Sequence, residues 1–292
     1  MKYNLPYLVN IPPFLLKDLN QKDLRGIKKL ILIFKGKFIS MIINKTNGKV
    51  FCFLINLFFR KNGKIYYENK KYFKTTKDSK DVYFPNKRIL RIVKNIATHL
   101  DRMYLSYCID KVEVKDGDIV VDCGANIGEL NLAFKYKNII PNYYAFEPDL
   151  ETFECLSLNH SDFKNNLFNV ALSDVSGHGE LYIDNEGGNS SLINFGSEKV
   201  KKVKLEKLDN IQIEGNIKLL KVEAEGNEPE VLVGAEHTLS KTQYVSVDFG
   251  GERGVNQEMT LIEVNDFLYS KGFDLINFSD YRIIGLYKNK NL

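Results

Sequence analysis

The stretch Asp116-Gly-Asp-Ile-Val-Val-Asp-Cys-Gly-Ala-Asn-Ile-Gly128 restricts the fold more than any other part of this chain. Ile119 to Val121 is a short β-branched run suited to a buried strand of a parallel sheet. The run ends in Asp122 and is followed by Gly124, Ala125, Asn126 and Gly128. Beyond them Leu130, Leu132, Ala133 and Phe134 supply one apolar face of a helix. Strand, glycine turn and helix form the unit with which open α/β sheets hold nucleotides at their strand ends. The turn lacks the Lys-Ser/Thr that closes a P-loop, and its glycines stand four apart rather than in the dinucleotide-binding G-x-G-x-x-G. Asp122 would also repel a pyrophosphate. A carboxylate in that place fits a ligand that is cationic and carries no phosphate.

About one βαβ unit further on, Asn142-Tyr-Tyr-Ala-Phe-Glu147-Pro148-Asp149 reads as the next strand with an acid at its end. A carboxylate there can accept both hydroxyls of a ribose. Pro148 stops the strand, and Asp149 is placed to cap a helix through Leu150, Phe153 and Leu156. Asp122 and Glu147 with glycines between them describe a pocket for S-adenosylmethionine better than one for NAD. The plainer alternative is a βαβ unit whose acids only cap turns.

Two later strands carry more acids. Ile217-Lys-Leu-Leu-Lys-Val222 runs into Glu223-Ala-Glu225-Gly226-Asn-Glu228, with Pro229 suited to the first turn of a helix. Glu223 and Glu225 stand two apart and point the same way in extended backbone, with Lys221 on the same side. Gln243-Tyr-Val-Ser-Val-Asp248 is a further strand ending in an acid. Glu252 and Arg253, just beyond it, either orient a polar acceptor or decorate a loop.

The pieces DGDIVVDCGANIGE, YYAFEPD, NVALSD, GNSSL and IKLLKVEAEGNEPEVLVGAE, in that order, make the chain resemble the FkbM-type S-adenosylmethionine-dependent methyltransferases over approximately residues 82–287. The resemblance implies an α/β class I methyltransferase fold: a mostly parallel, Rossmann-like, seven-stranded sheet with helices on both faces. It also implies O-methyl transfer, often to a sugar of a polysaccharide, glycolipid or natural product. The cofactor residues it implies are Asp122, Gly124, Ala125, Asn126, Gly128, Glu147, Pro148 and Glu223. Phe168-Asn-Val-Ala-Leu-Ser-Asp174 would be the third strand, with Asn169, Ala171 and Leu172 as walls near the adenine and Asp174 within reach of its amine. The loop Asp184 to Ser191 is an acceptor lid or a plain hairpin loop. The family pattern has Asp where this chain has Glu223, one methylene longer. Glu223, Glu225 or Asp248 is the expected general base, with Lys221 placing charge or the acceptor. No metal site is expected.

Charge divides the chain. Residues 1–100 hold 22 Lys/Arg against 5 Asp/Glu, and residues 101–292 hold 19 against 32. Such a split suggests two functional regions: a basic extension over residues 1–81 and the cofactor-binding domain over 82–292. In the extension, Leu24, Ile27, Leu30, Ile31, Phe34, Phe38, Met41 and Ile42 predict a helix from about Asp23 to Asn44. Interspersed Lys makes it either a membrane-surface helix or a helix packed on the rest of the protein with a solvated basic side. Val50 to Phe73 reads as strands with Lys61-Asn-Gly-Lys64 as a hairpin turn, and Asn86 to Cys108 as one helix.

Four cysteines without C-x-x-C spacing predict a reduced protein, and Met1-Lys-Tyr-Asn-Leu-Pro has no signal-peptide pattern. The expected location is the cytoplasm, with peripheral contact at the inner membrane face through the basic region. The expected partner is a glycan or small-molecule hydroxyl acceptor. The basic excess keeps a nucleic-acid methyltransferase as a rival, although no RNA-binding module is recognisable. A non-catalytic scaffold that retained the fold is the second rival.

Overall fold

The computed structural model describes residues 11–16, 25–75, 81–161, 166–184 and 190–292. They fall into two compact units, Met1–Ile96 and Ala97–Leu292.

The first unit contains α1 (Pro13–Leu16), α2 (Gly26–Lys45), α3 (Gly48–Phe59), β1 (Lys64–Glu68), β2 (Lys71–Thr75) and β3 (Val82–Phe84). The three strands form an antiparallel sheet. The predicted basic helix is α2; Asp23 and Leu24 lie outside the described residues. Val50 to Phe59 is helix rather than strand. Within that run of strand formers, Phe51, Cys52, Ile55 and Phe59 recur at helical spacing and are buried, so packing overrides local preference. The hairpin turn also differs. Asn69 and Lys70 make it, both at positive φ, between Glu68 and its partner Lys71. That is the geometry of a type I′ turn, and Asn62-Gly63 instead ends a 3₁₀ turn.

The single helix expected over residues 86–108 is broken. A 3₁₀ turn (Lys87–Arg91) is capped by Asn86, and α4 (Ile96–Ser106) begins only later. The buried Lys74 explains the break. Its ammonium donates to the carbonyls of Ile92 (2.7 Å) and Val93 (3.0 Å), acceptors that a continuous helix would have used itself. Burial pushes the Lys74 pKa down to about 8.

The second unit continues with β4 (Ile119–Cys123), α5 (Glu129–Tyr136), β5 (Asn142–Phe146), α6 (Leu150–Asn159), β6 (Leu167–Phe168), β7 (Ala171–Leu172), β8 (Gly177–Tyr182) and β9 (Val200–Glu206). Then come β10 (Ile217–Val222), α7 (Glu228–Val233), α8 (Glu236–Ser240), β11 (Thr242–Asp248), β12 (Gly251–Arg253), β13 (Glu258–Met259), α9 (Leu261–Ser270), β14 (Phe273–Phe278) and β15 (Ile284–Asn289). Among the described residues the main sheet has seven strands in the order β14-β15-β11-β10-β4-β5-β6. The five from β11 to β6 are mutually parallel, and β15 runs antiparallel to both neighbours. This is the mostly parallel α/β architecture expected from the sequence. Val120, Val121, Leu219, Leu220, Val222, Val245 and Val247 are fully buried, as a sheet covered on both faces requires.

The third-strand expectation needs correction. Leu167–Phe168 pairs with β5, but Ala171–Leu172 leaves the main sheet and pairs with β9 in a small sheet ordered β7-β9-β8. Ala171 packs there with Leu181, Ile183, Val203 and Leu205, while Leu172 packs in the main core with Cys123, Phe146 and Val222.

Candidate active site

The parallel register sets the site before any side chain is considered. Lys221 lies beside Asp122 on one side and Ser246 on the other, and Cys123 pairs with both Val222 and Phe146. The carboxyl ends of β4, β5, β10 and β11 therefore finish level, the edge at which α/β sheets bind ligands.

The turn after β4 is fastened to its neighbours. Gly124 and Ala125 N–H both donate to the Phe146 carbonyl (3.0 Å each), and Asn126 N–H donates to Glu147 Oε2 (2.9 Å). Gly124 has φ +72°, and a Cβ there would stand 1.9 Å from the Glu223 carbonyl oxygen. Gly128, at φ +84°, yields its space to His160 Nε2, which a Cβ would meet at 1.9 Å. Glycine at these two positions thus admits the chain itself, bringing the β4 and β10 loops into contact. Gly124→Ala is expected to cost at least about 1–3 kcal/mol from the backbone conformation alone, with the overlap adding to it. A thermal unfolding midpoint equal to that of the wild type would contradict this.

Glu147 is buried at the β5 tip. Its Oε1 accepts from Asp149 N–H (2.9 Å) and its Oε2 from Asn126 N–H (2.9 Å), so each oxygen keeps a lone pair. Burial pushes its pKa up to about 7, against the pull of those two N–H groups. Asn169 holds the strand end by donating to the carbonyls of Glu147 (2.9 Å) and Pro148 (3.0 Å). Asp149 caps α6 as predicted, accepting from Thr152 N–H (3.1 Å). Asp174 sits in a turn and accepts from Ser173 Oγ (3.1 Å).

Asp122 turns inward. It is 1% exposed, pairs with Lys221 Nζ (2.9 Å) and accepts from the Tyr143 hydroxyl. Lys221 is equally enclosed. Its ammonium also meets Glu223 Oε2 (3.2 Å) and donates to the carbonyls of Cys123 (3.1 Å) and Gly124 (2.8 Å). Burial works against its charge, but Asp122, Tyr107 and Glu223 outweigh that and hold its pKa well above the ordinary value. Every donor is engaged within the protein, so Lys221 fastens two loops and two acids.

Glu223 lies under two residues that the sequence reading did not assign to the site. Tyr107, fully buried just past α4, donates to Glu223 Oε2, and its own carbonyl accepts from Ser246 Oγ (2.8 Å). Arg282, from the segment before β15, ion-pairs with Glu223 Oε1 and Asp248 Oδ2 and donates to the Tyr107 hydroxyl (3.0 Å). The Tyr107 ring lies between the two cations, 5.1 Å from Lys221 Nζ and 5.5 Å from the Arg282 guanidinium. Burial alone would raise the Glu223 pKa; Lys221 and Arg282 outweigh it and hold the carboxyl well below the usual range.

The other two acids titrate differently. Burial pushes the Asp248 pKa up to about 6, with Arg282 opposing and Glu223 and Glu252 reinforcing. Glu225, at φ +51°, rises to about 10 through burial beside Glu223 and Glu252. Its Oε2 is buried and accepts no hydrogen bond among the described residues. The loop that carries it is shaped by Glu228, which accepts from Ala224 N–H (2.9 Å) and Gly226 N–H (3.1 Å). Ser191 Oγ donates to the Glu225 carbonyl (2.7 Å), so one end of the expected lid meets the site; residues 185–189 lie outside the described residues. Arg253 pairs with Glu230 (2.6 and 3.0 Å) and donates to the Gly226 carbonyl (2.5 Å), so it fastens the loop after β10.

The strand tips thus gather Asp122, Glu147, Glu223, Glu225 and Asp248 against Lys221 and Arg282. A surplus of acidic side chains over cations suits a cationic ligand, and Glu147's remaining lone pairs suit a ribose diol. These residues fit S-adenosylmethionine and oppose a phosphorylated dinucleotide.

The family model for the methyltransferase FkbM domain matches residues 122–275. Among solved structures, the chain is similar to methyltransferase FkbM from Methylobacillus flagellatus KT at 16% identity and a TM-score of 0.47. That match covers 68% of this chain and 52% of the other, so this chain spans about half the length of that protein. It is also similar to a precorrin-6y C5,15-methyltransferase from Geobacter metallireducens GS-15 (12% identity, 63% and 88% covered, TM-score 0.35). A third is TrmK of M. capricolum in complex with S-adenosylhomocysteine (14% identity, 64% and 69% covered, TM-score 0.36). No curated protein matches. With the family's pattern running from Asp122 to Leu275, over more than half of its length, the chain belongs to the FkbM methyltransferases.

Proposed function

We propose that this protein transfers a methyl group from S-adenosylmethionine to a hydroxyl, the acceptor being a sugar of a polysaccharide, glycolipid or related glycan precursor. The observation that carries the reading is Asp248, a carboxyl pushed up to about 6 at the tip of β11, beside the strand tips that suit a cationic nucleoside. An alcohol must shed its proton as it attacks, and a base poised near neutrality serves that step best.

The cofactor would supply an electrophilic methyl group on a sulfonium. Glu147 accepts the ribose hydroxyls, and the Gly124–Gly128 turn shapes the floor. Arg282 holds Asp248 and Glu223 in place at the tips of β11 and β10. The remaining work is alignment, from which roughly 7–11 kcal/mol of the barrier can come.

Glu147→Ala removes both acceptors and is expected to raise the S-adenosylmethionine Kd by about 10- to 100-fold, the worth of one hydrogen bond to a charged group. Isothermal titration checks it, and unchanged affinity would count against the ribose assignment. The function itself is tested with methyl-labelled S-adenosylmethionine and a panel of nucleotide sugars, glycolipids, oligosaccharides and RNA. Label on a glycan hydroxyl is the expected result; label on RNA alone would replace this reading with its rival.

A further inference from the structure

The N-terminal unit shows a surface that methyl transfer does not require. On α2, the side chains of Ile27, Leu30, Ile31, Phe34, Phe38 and Met41 are all exposed, Ile27 by 76% and Phe34 by 73%. Their spacing places them in one stripe about 100° wide. On α3, Val50, Phe53, Leu57 and Phe58 are exposed as well. The two stripes meet where the rings of Phe38 and Phe58 lie 5.8 Å apart. Monomeric soluble proteins rarely expose contiguous apolar patches of this kind without a use for them.

The charge around the patch narrows that use. From Arg25 to Tyr67 the sequence has ten Lys/Arg and no Asp or Glu. Lys28 and Lys35 border the α2 stripe on one side and Lys37 on the other, as their helical positions dictate. A cavity of about 570 Å³ shares Phe53 and Leu57 with the exposed face and adds Phe73, Lys49, Arg60 and Lys64. The matching surface must therefore be apolar and anionic together, and broad enough to cover two helices.

The same face of a second copy would bring the same cations against these and would be repelled. RNA offers phosphates and bases, but bases stack on aromatic rings and leave Ile27, Leu30 and Ile31 in water. An anionic phospholipid bilayer supplies both properties in the right layers. Apolar side chains enter the acyl boundary, and lysine stems reach back to the headgroups. Among the described residues no helix is long and apolar enough to cross a membrane, so α2 and α3 would lie in the interface plane.

We propose that the exposed face of α2 and α3 docks this protein on an anionic phospholipid bilayer. The face then holds the protein beside lipid-linked acceptors, which free sugars would not require. This proposal is independent of the methyl-transfer reading, because lipid binding is measured without cofactor or acceptor.

The test is co-sedimentation of the full chain with vesicles of phosphatidylcholine, alone or with about 30% phosphatidylglycerol, at low and high salt. The expected result is a partition coefficient at least about tenfold higher on the phosphatidylglycerol vesicles. Phe34→Glu with Phe53→Glu should lose binding to both vesicles. Lys37→Glu with Lys49→Glu should lose only the preference for phosphatidylglycerol and its salt sensitivity. These side chains are exposed, and an unchanged thermal unfolding midpoint confirms that each variant folds. Equal, negligible sedimentation with both vesicles overturns the proposal. So does wild-type partition by the Phe34→Glu/Phe53→Glu protein, a dimer that the same substitutions dissociate, or retention on RNA without vesicle binding.

Discussion

Asp248→Asn is expected to lower turnover by about 10²–10⁴-fold while cofactor affinity stays near that of the wild type. Three carboxyls stand at the tips of β10 and β11, and their surroundings separate their roles. Glu223 is ionised, but Tyr107, Lys221 and Arg282 occupy its oxygens. Glu225, pushed up to about 10, keeps its proton at neutral pH and has none to accept. Asp248, at about 6, is the carboxyl of the three that loses its proton near neutrality; Arg282 pairs with its Oδ2 and Gly250 N–H donates to its Oδ1 (2.9 Å), one partner to each oxygen. A base acts deprotonated, so turnover should rise with pH through about 6 and level off above it. A profile flat from pH 5 to 8, or full turnover by the Asn variant, would assign the proton to another group.

Lys221→Met should destabilise the fold by about 3–5 kcal/mol, because it strands buried partners of an ammonium. Asp122 and Glu223 lose their shared counter-charge, and the carbonyls of Cys123 and Gly124 lose their donor. In a domain of this size the unfolding midpoint should fall by about 5–20 °C. Adding Asp122→Asn should return part of the loss, since the two sites share one ion pair. The sequence reading had Lys221 placing charge among the acids, as the structure shows, or else placing the acceptor. An unchanged midpoint with lost turnover would restore that role and remove the structural one.

Local chemistry in consecutive residues was readable from the sequence. The strand-glycine-helix unit at Ile119 to Phe134 stands where it was predicted, as do Glu147 at the β5 tip and the acids after β10 and β11. Period-two alternation also placed Lys221 with Glu223, now 3.2 Å apart. Pairings across long separations were not readable. Tyr107 and Arg282 complete the cluster from 116 and 59 residues away from Glu223, and neither lies in a patterned motif. The pointer that did exist was weak: a lone Arg just before a closing strand that runs beside β11.

Elsewhere, tertiary contacts overruled local preference. Burial of Phe51 and Ile55 made a helix of a strand-forming run, and Lys74 broke the helix expected over 86–108 by taking two of its carbonyls. Gly124 and Gly128 make room for the Glu223 carbonyl and His160, contacts across 99 and 32 residues that no local pattern announces.

The surplus of acidic side chains at the strand tips is the central claim, and calorimetric titration of the unliganded protein with S-adenosylmethionine and with NADH tests it most directly. The account predicts saturable 1:1 binding of S-adenosylmethionine, weakened in Glu147→Ala, and no heat of binding from NADH. Binding of NADH, or no binding of S-adenosylmethionine by a folded protein, would contradict it.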